Sequence, residues 1–323
     1  MATLVIGAGL IGSQVARLLV EQGERPVLLD TAFQRDALGE IVDLAQVRLV
    51  EGNVLRPLAL VEIARASDVT EIVHTAANPM LTTGAQRDPF AAIELNIMGT
   101  VNVLETARVL GLKRVVVSSS NVLSHYLAGG EGKGDLAKEE ALPRPVTFYA
   151  TTKQAIENLG LNYARWCGVD FAAVRYGAVA GPWSGRGGGG PSNVFRDAVL
   201  NALAGTEAVV PASAMEWVYA KDAAAGTVLA LKAGSLSHRV FNITMGTLTP
   251  PQAFASALQK AVPGARVRIA DPPADARSLM NMTHGSDLAV SRAELGYAPR
   301  FDIDAAVADM VAWYRSNERT RKV

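Results

Sequence analysis

The feature that most constrains this chain is a glycine-rich turn, Gly7-Ala8-Gly9-Leu10-Ile11-Gly12. It lies directly between an apolar run, Leu4-Val5-Ile6, and a helical pattern from Ile11 to Glu21. A strand that turns sharply into a helix needs residues without a Cβ at the turn. Gly7 permits the tight turn, Gly9 lets backbone approach a pyrophosphate, and Gly12 allows close helix packing. The N–H groups at the start of the helix then suit a phosphate. A strand before the turn and a helix after it are the context that the dinucleotide fingerprint requires. A glycine turn without a ligand is the alternative.

The same alternation continues through the first half. Pro26-Val27-Leu28-Leu29 ends at Asp30, Val47-Arg48-Leu49-Val50 at Glu51-Gly52-Asn53, Glu71-Ile72-Val73-His74 at Thr75-Ala76-Ala77, and Arg114-Val115-Val116-Val117 at Ser118. A long helical pattern runs from Pro89 to Leu110, another continues past Lys153 toward Trp166, and a further strand is expected over Phe171–Arg175. Continuous apolar strands alternating with helices predict a parallel sheet covered on both faces, with ligands at the carboxyl ends of its strands. The expected fold is a Rossmann-type, doubly wound α/β sheet with a smaller C-terminal substrate-binding lobe. Residues 1–180 would form the NAD-binding domain, with later segments near 210–245 returning to it, and 181–323 mainly the substrate lobe. The loop Gly181-Pro182-Trp183-Ser184-Gly185-Arg186, followed by Gly187 to Gly190, reads equally as a surface linker or as a lid.

Two sets of side chains carry chemistry. Asp30 ends the second strand about twenty residues beyond the turn, where a carboxylate accepts hydrogen bonds from the adenosine ribose and repels the extra phosphate of NADP. An ordinary turn aspartate is the alternative, and the nearby Arg35 can soften the preference for NAD. Further on, Ser118-Ser119-Ser120 precedes Tyr149-Ala-Thr-Thr-Lys153. Residues four apart share a helix face, which predicts the Lys153 ammonium near the Tyr149 phenol. A free tyrosine titrates near ~10. A neighbouring positive charge favours the phenolate, the route by which tyrosine becomes a general base.

Composition removes other classes. The 323 residues are 49% apolar and 19% charged, and Lys plus Arg equals Asp plus Glu at 31 each, so no basic surplus points to nucleic acid. The single cysteine, Cys167, makes no internal disulfide and fits a reducing cytoplasm. With four histidines and no ligand spacing, no metal is expected. Met1 to Ile6 reads as a first strand and not a signal peptide, and no apolar run reaches the ~18 residues that a membrane span needs.

These residues together resemble the extended short-chain dehydrogenase/reductase superfamily, the NAD-dependent epimerases and dehydratases. The resemblance extends to Gly52-Asn53-Val54, His74-Thr75-Ala76-Ala77, Asn96-Ile97-Met98-Gly99-Thr100, Arg175-Tyr176-Gly177-Ala178-Val179-Ala180-Gly181-Pro182 and Ser291-Arg292-Ala293-Glu294-Leu295-Gly296-Tyr297. It implies NAD as cofactor, held by Gly7, Gly9, Leu10, Ile11, Gly12 and Asp30. Asn53 and Val54 would contact adenine, and Ala76, Ala77 and Ser118 would line the cofactor. Asn96 would support its site, and Tyr176 and Val179 would pass near the nicotinamide. Ser120 would polarise the substrate oxygen, Tyr149 act as base or acid, and Lys153 bind the nicotinamide ribose. A homodimer is implied as well, through apolar positions such as Val101, Leu104, Ile156 and Leu159.

Three departures matter. Ile6 stands where the family's turn usually has glycine. The serines are followed by Asn121-Val122-Leu123-Ser124, which leaves Ser119 and Ser120 as alternatives for the catalytic hydroxyl. Met215-Glu216-Trp217 replaces the Arg-Asp-Phe segment whose arginine binds a sugar nucleotide's phosphate. Methionine has no charge to offer, Glu216 is expected to repel phosphate, and no second phosphate arginine is evident around Met280 to Asp287, Arg277 being the nearest basic residue. Ala77-Asn78-Pro79 through Asn102-Val103-Leu104-Glu105 looks more like the threonine and uronate dehydrogenase branches. The favoured function is an NAD-dependent oxidoreductase acting on a small hydroxyl or carbonyl substrate of sugar, sugar-acid or hydroxy-acid type. The alternatives are an NAD-retaining nucleotide-sugar epimerase or dehydratase, and a dinucleotide sensor without turnover. His74 and Trp217 read as structural. His125 and Tyr126 face substrate or pack a loop, and Arg196 binds a carboxylate or is a solvated helix arginine.

Overall fold

The computed structural model describes residues 2–78, 88–123, 147–271 and 284–317. The first part alternates β1 (Ala2–Ile6), α1 (Leu10–Glu21), β2 (Val27–Asp30), α2 (Arg35–Gly39), β3 (Arg48–Glu51), α3 (Pro57–Ala66) and β4 (Val69–His74). It continues with α4 (Pro89–Ile93), α5 (Gly99–Leu110), β5 (Arg114–Ser120), α6 (Phe148–Cys167) and β6 (Phe171–Tyr176). The rest comprises β7 (Ala178–Ala180), α7 (Gly190–Leu203), β8 (Ala208–Val210), β9 (Trp217–Tyr219), α8 (Ala220–Lys232), β10 (Val240–Ile243), α9 (Pro251–Ala261), β11 (Val267–Ile269), α10 (Ala289–Leu295) and α11 (Ile303–Ser316).

Seven strands form one sheet in the order β10-β6-β5-β4-β1-β2-β3, every pair parallel. This is the doubly wound Rossmann arrangement. All carboxyl ends fall on one edge, so Gly7, Asp30, Thr75, Ser120 and Gly177 emerge together. Alternate side chains enter two separate cores, as the strand period of two requires. Val5 and Val116 pack beneath Val15 and Leu19 of α1 and Ala224 and Val228 of α8. Leu4, Ile6, Val115 and Val117 pack against Leu60 of α3, Val103 of α5 and Ile156 of α6. A third cluster joins Phe195 and Val199 of α7, Trp217 and Tyr219 of β9, Phe254 of α9 and Met310 of α11. Trp217 is thus a packing residue, edge-on to Phe195 with ring centroids 5.1 Å apart.

The structure departs from the expectations in two places. The pattern from Pro89 to Leu110 is not one α-helix, because Glu94–Met98 forms a π-helical stretch between α4 and α5. Such bulges favour functional sites, and this one carries the buried Asn96. Leu104 and Ile156, expected to be free for a second subunit, are buried in this chain's own core, and Leu159 packs against it. The apolar side chains exposed on these helices are instead Phe90, Ile93, Met98, Val109, Phe148, Leu161 and Trp166.

Helix α6 reaches the sheet closely at Gly160, where a Cβ would lie 2.2 Å from Cζ of the fully buried Phe171. Alanine gains about 1 kcal/mol of helix propensity over glycine, but overpacking a rigid core costs about 1–3 kcal/mol. Gly160→Ala is therefore expected to lower unfolding free energy in urea; a stabilised variant would show that this contact yields.

Candidate active site

A cavity of about 1070 Å³ runs along the carboxyl edge of the sheet, from the glycine turn and Asp30 to Ser120, Tyr149 and Lys153. The turn at its far end is tied down from three sides. Gly7 has φ +96°, and a Cβ on it would lie 2.7 Å from the Ala76 nitrogen. A Cβ on Gly12 would lie 1.8 Å from the Gly7 oxygen, so the close packing it permits is within the turn itself. Thr75 Oγ1 donates to the carbonyls of Ile6 and Gly7, both at 3.1 Å. Asp30 accepts from Ala8 N at 2.8 Å and Thr31 N at 2.7 Å, which sets its carboxylate in the cavity wall beside the start of α1. Gly9 differs from the other two glycines: a Cβ there would meet nothing within 4 Å. Its bareness serves no contact within the chain. It leaves room for something to lie against the backbone, which is what a dinucleotide pyrophosphate requires.

Leu10 and Ile11 open α1, and both line the cavity. Asn53, Val54, Ala76 and Ala77 line the same end. The Asn53 side chain accepts from Leu55 N at 2.9 Å, and the Val54 carbonyl accepts from Asn102 Nδ2 at 2.9 Å. Asn96 does not reach the cavity. It accepts from Asn78 N at 2.8 Å and donates to Thr152 Oγ1 at 3.2 Å, so it acts through the loop after β4 and through α6. The loop 183–190 crosses from the second lobe and forms a wall of the cavity. Arg186 N donates to Gln34 Oε1 at 2.5 Å, and Gln34 Nε2 donates back to the Arg186 carbonyl at 3.1 Å. Trp183 packs beside Leu10 and Ile41. Among the described residues the loop is therefore docked against α1 and α2. Arg35 is exposed and is not part of the wall.

At the near end α6 presents Tyr149 and Lys153. The helix begins where the Thr147 side chain accepts from Ala150 N. Ser120, and not Ser119, meets the Tyr149 hydroxyl. Ser119 Oγ donates instead to Glu157 Oε1 at 2.5 Å. The Lys153 ammonium donates to the Ser118 carbonyl at 2.7 Å and stands 5.6 Å from the centre of the Tyr149 ring. The i, i+4 spacing thus brings the two side chains together, but the ammonium bonds backbone and not the phenol. Burial raises Tyr149 above its ordinary value, and the Ser120 hydrogen bond opposes that. Burial brings Lys153 down to about 8, against the pull of the Glu157 charge. His74, also buried, is pushed down to about 3 by burial and by the charge of Lys153. It is neutral at pH 7, and its Nδ1 has no partner among the described residues.

The phenol of Tyr176 turns away from the cavity toward Thr227, with 2.5 Å between the oxygens, so this residue lines the site without its hydroxyl. Its carbonyl accepts from Asn121 N at 2.9 Å. Val179 lines the cavity, and its carbonyl accepts from Ser192 Oγ at 2.7 Å.

Glu216 corrects an expectation. It does not face a phosphate site: it is fully buried, and its carboxylate accepts from Asn121 Nδ2, Thr244 Oγ1, Ser286 N and Ser286 Oγ at 2.7–2.9 Å. It holds three segments together around the end of β5. Met215, by contrast, does line the cavity. His125, Tyr126 and Arg277 lie outside the described residues.

The family model for NAD-dependent epimerases and dehydratases matches residues 3–244. The chain belongs to this family. It is an extended short-chain dehydrogenase/reductase, and its cofactor is NAD. UDP-glucuronate 4-epimerase 5 of Arabidopsis thaliana is 25% identical over 341 residues, covering 97% of this chain and 75% of that one. A partial-consensus L-threonine 3-dehydrogenase superposes with a TM-score of 0.81 at 25% identity, covering 98% of this chain and 100% of that one. The UDP-glucose 4-epimerase of Thermus thermophilus, solved with NAD, superposes at 0.76 and 24% identity over 98% and 100% of the two chains. The residues present fit NAD: a bare Gly9, an acid at the end of β2, and a cavity long enough to reach Tyr149.

Gly9 has extended backbone, φ −85° and ψ −159°, which a β-branched residue adopts readily. Gly9→Val is therefore expected to cost about 1 kcal/mol or less of stability through the lost helix cap. It should nevertheless weaken NADH binding at least a hundredfold, read by fluorescence titration. Unchanged binding would move the pyrophosphate away from this turn.

Proposed function

We propose that the protein is an NAD-dependent dehydrogenase of a small, unactivated hydroxyl compound of sugar, sugar-acid or hydroxy-acid type. The observation that carries this over the nucleotide-sugar epimerase is Met215. It lines the cavity, by the family resemblance it takes the place of the arginine that binds a sugar nucleotide's phosphate, and it offers no charge to a diphosphate. The likeness to the L-threonine 3-dehydrogenase supports the same choice. The curated 4-epimerase relative favours the other branch, whose chemistry uses the same tyrosine.

Bound NAD supplies the hydride acceptor. Tyr149 takes the hydroxyl proton of the substrate. Ser120 hydrogen-bonds the oxygen as it becomes a carbonyl, a placed donor aimed at developing charge. Lys153 keeps a positive charge next to the phenol, held in register by the Ser118 carbonyl. That charge weakens as pH rises through about 8. Asp30 holds the adenosine ribose and disfavours a 2′-phosphate. The second lobe supplies the substrate wall.

We also propose that the protein works in the cytoplasm as a homodimer. Phe90 and Trp166 are each 75% exposed on the helices flanking one face of the sheet, and a second copy would cover them. Sedimentation velocity at micromolar concentration is expected to give twice the chain mass, and a monomer would contradict this. Among the described residues no helix is long and apolar enough to cross a membrane.

Turnover with matched alcohols is expected to release NADH repeatedly, many equivalents per chain, followed at 340 nm. Tyr149→Phe should lose about 10²–10⁴-fold in kcat and keep its affinity for NADH. Retained turnover in that variant would remove Tyr149 from its role.

A further inference from the structure

Helix α7 turns two faces to two surroundings. Phe195, Ala198, Val199 and Ala202 are buried in the second lobe. Asn193, Arg196, Asp197 and Leu200, spaced as one helical stripe, line the cavity that holds Ser120 and Tyr149. Three basic side chains line that cavity. Lys153 is buried against the Ser118 carbonyl. Arg186 belongs to the loop docked on Gln34, close in the chain to Asp30, and so to the ribose end. Arg196, on α7 whose other face packs in the same cluster as Met215, is the third. Its Nε donates to Asp197 Oδ1 at 3.1 Å, and its two Nη groups have no partner among the described residues. The side chains are 29% and 58% exposed, so the pair is a weak surface ion pair that a ligand can replace.

Resting on the dehydrogenase reading, we propose that Arg196 binds a substrate carboxylate, so that the substrates are hydroxy acids and not neutral alcohols or diphosphate sugars. A planar guanidinium with a free two-donor edge matches a carboxylate. A dianionic phosphate suits the position less, because Asp197 stands beside the guanidinium and Met215, on the same wall, adds no positive charge. Asp197 remains an acceptor for a hydroxyl or ammonium next to the carboxylate. The pair therefore recognises an anion carrying a neighbouring donor.

The test is binding and does not require turnover. The NADH-saturated protein is titrated calorimetrically with galacturonate against galactose, and with 3-hydroxybutyrate against 1,3-butanediol. The acids should bind more tightly than their neutral partners. Arg196→Gln should weaken the acids ten- to a hundredfold and leave the neutral compounds unchanged, and Arg196→Lys should recover part of the loss. Asp197→Asn, which keeps the arginine, should tighten the acids. Equal binding of acid and neutral partner by the unaltered protein, or acid binding untouched by Arg196→Gln, overturns the proposal. If the acids bind through Arg196 but no NADH is ever released, the dehydrogenase reading fails and the carboxylate site stands.

Discussion

One buried carboxylate organises the end of the cavity where Ser120, Tyr149 and Lys153 meet. Glu157 is 5% exposed and lies one helical turn beyond Lys153, two beyond Tyr149. Its Oε1 accepts from Ser119 on β5, and both oxygens accept from Arg175 on β6, at 2.8 and 2.7 Å. A single charge thus joins two neighbouring strands to the helix that carries Tyr149 and Lys153. It also opposes the desolvation that would strip Lys153 of its proton. A buried ion is tolerated when its lone pairs are satisfied and its charge is matched, and Arg175 and Ser119 do this here. Because Glu157 takes the Ser119 hydroxyl, Ser120 is left to meet Tyr149.

A second buried carboxylate, Glu216, has the corresponding task between the lobes. It gathers Asn121 from the end of β5, Thr244 after β10 and Ser286 before α10. Its own carbonyl accepts from Ala178 N at 2.8 Å, and a Cβ on Gly177 would lie 2.6 Å from that oxygen. The wall that continues from Ser120 and Tyr149 toward Met215 is therefore backed by a polar knot and not by apolar packing alone. With the loop 183–190 docked on Gln34, the cavity has rigid contacts at both ends.

The central sheet was legible because its signals are local. Each apolar run sits between turn residues, and the glycine turn occurs where strand meets helix. Gly7, Gly9, Gly12 and Asp30 could be named from spacing alone, and Tyr149 and Lys153 from the i, i+4 relation. What was missed depends on contacts distant in the chain. Ser119 and Ser120 cannot be separated until it is known that Glu157 lies across from the first and Tyr149 from the second. Glu216 looked like a charge in the substrate pocket because its four donors come from segments up to 95 residues away. Leu104 and Ile156 looked available for a partner because an apolar stripe does not say whose core it faces. Glu157 did carry a signal, four residues beyond Lys153.

A dehydrogenase needs a cofactor that enters and leaves, since a small alcohol is oxidised only once per bound NAD unless the reduced form departs. The most direct measurement is the nucleotide content of freshly purified protein after acid release, followed by exchange of labelled NAD into the site. A dehydrogenase predicts substoichiometric nucleotide and complete exchange within the time of a few turnovers. Near-stoichiometric NAD that does not exchange would contradict it and place the protein with the epimerases and dehydratases that retain their cofactor.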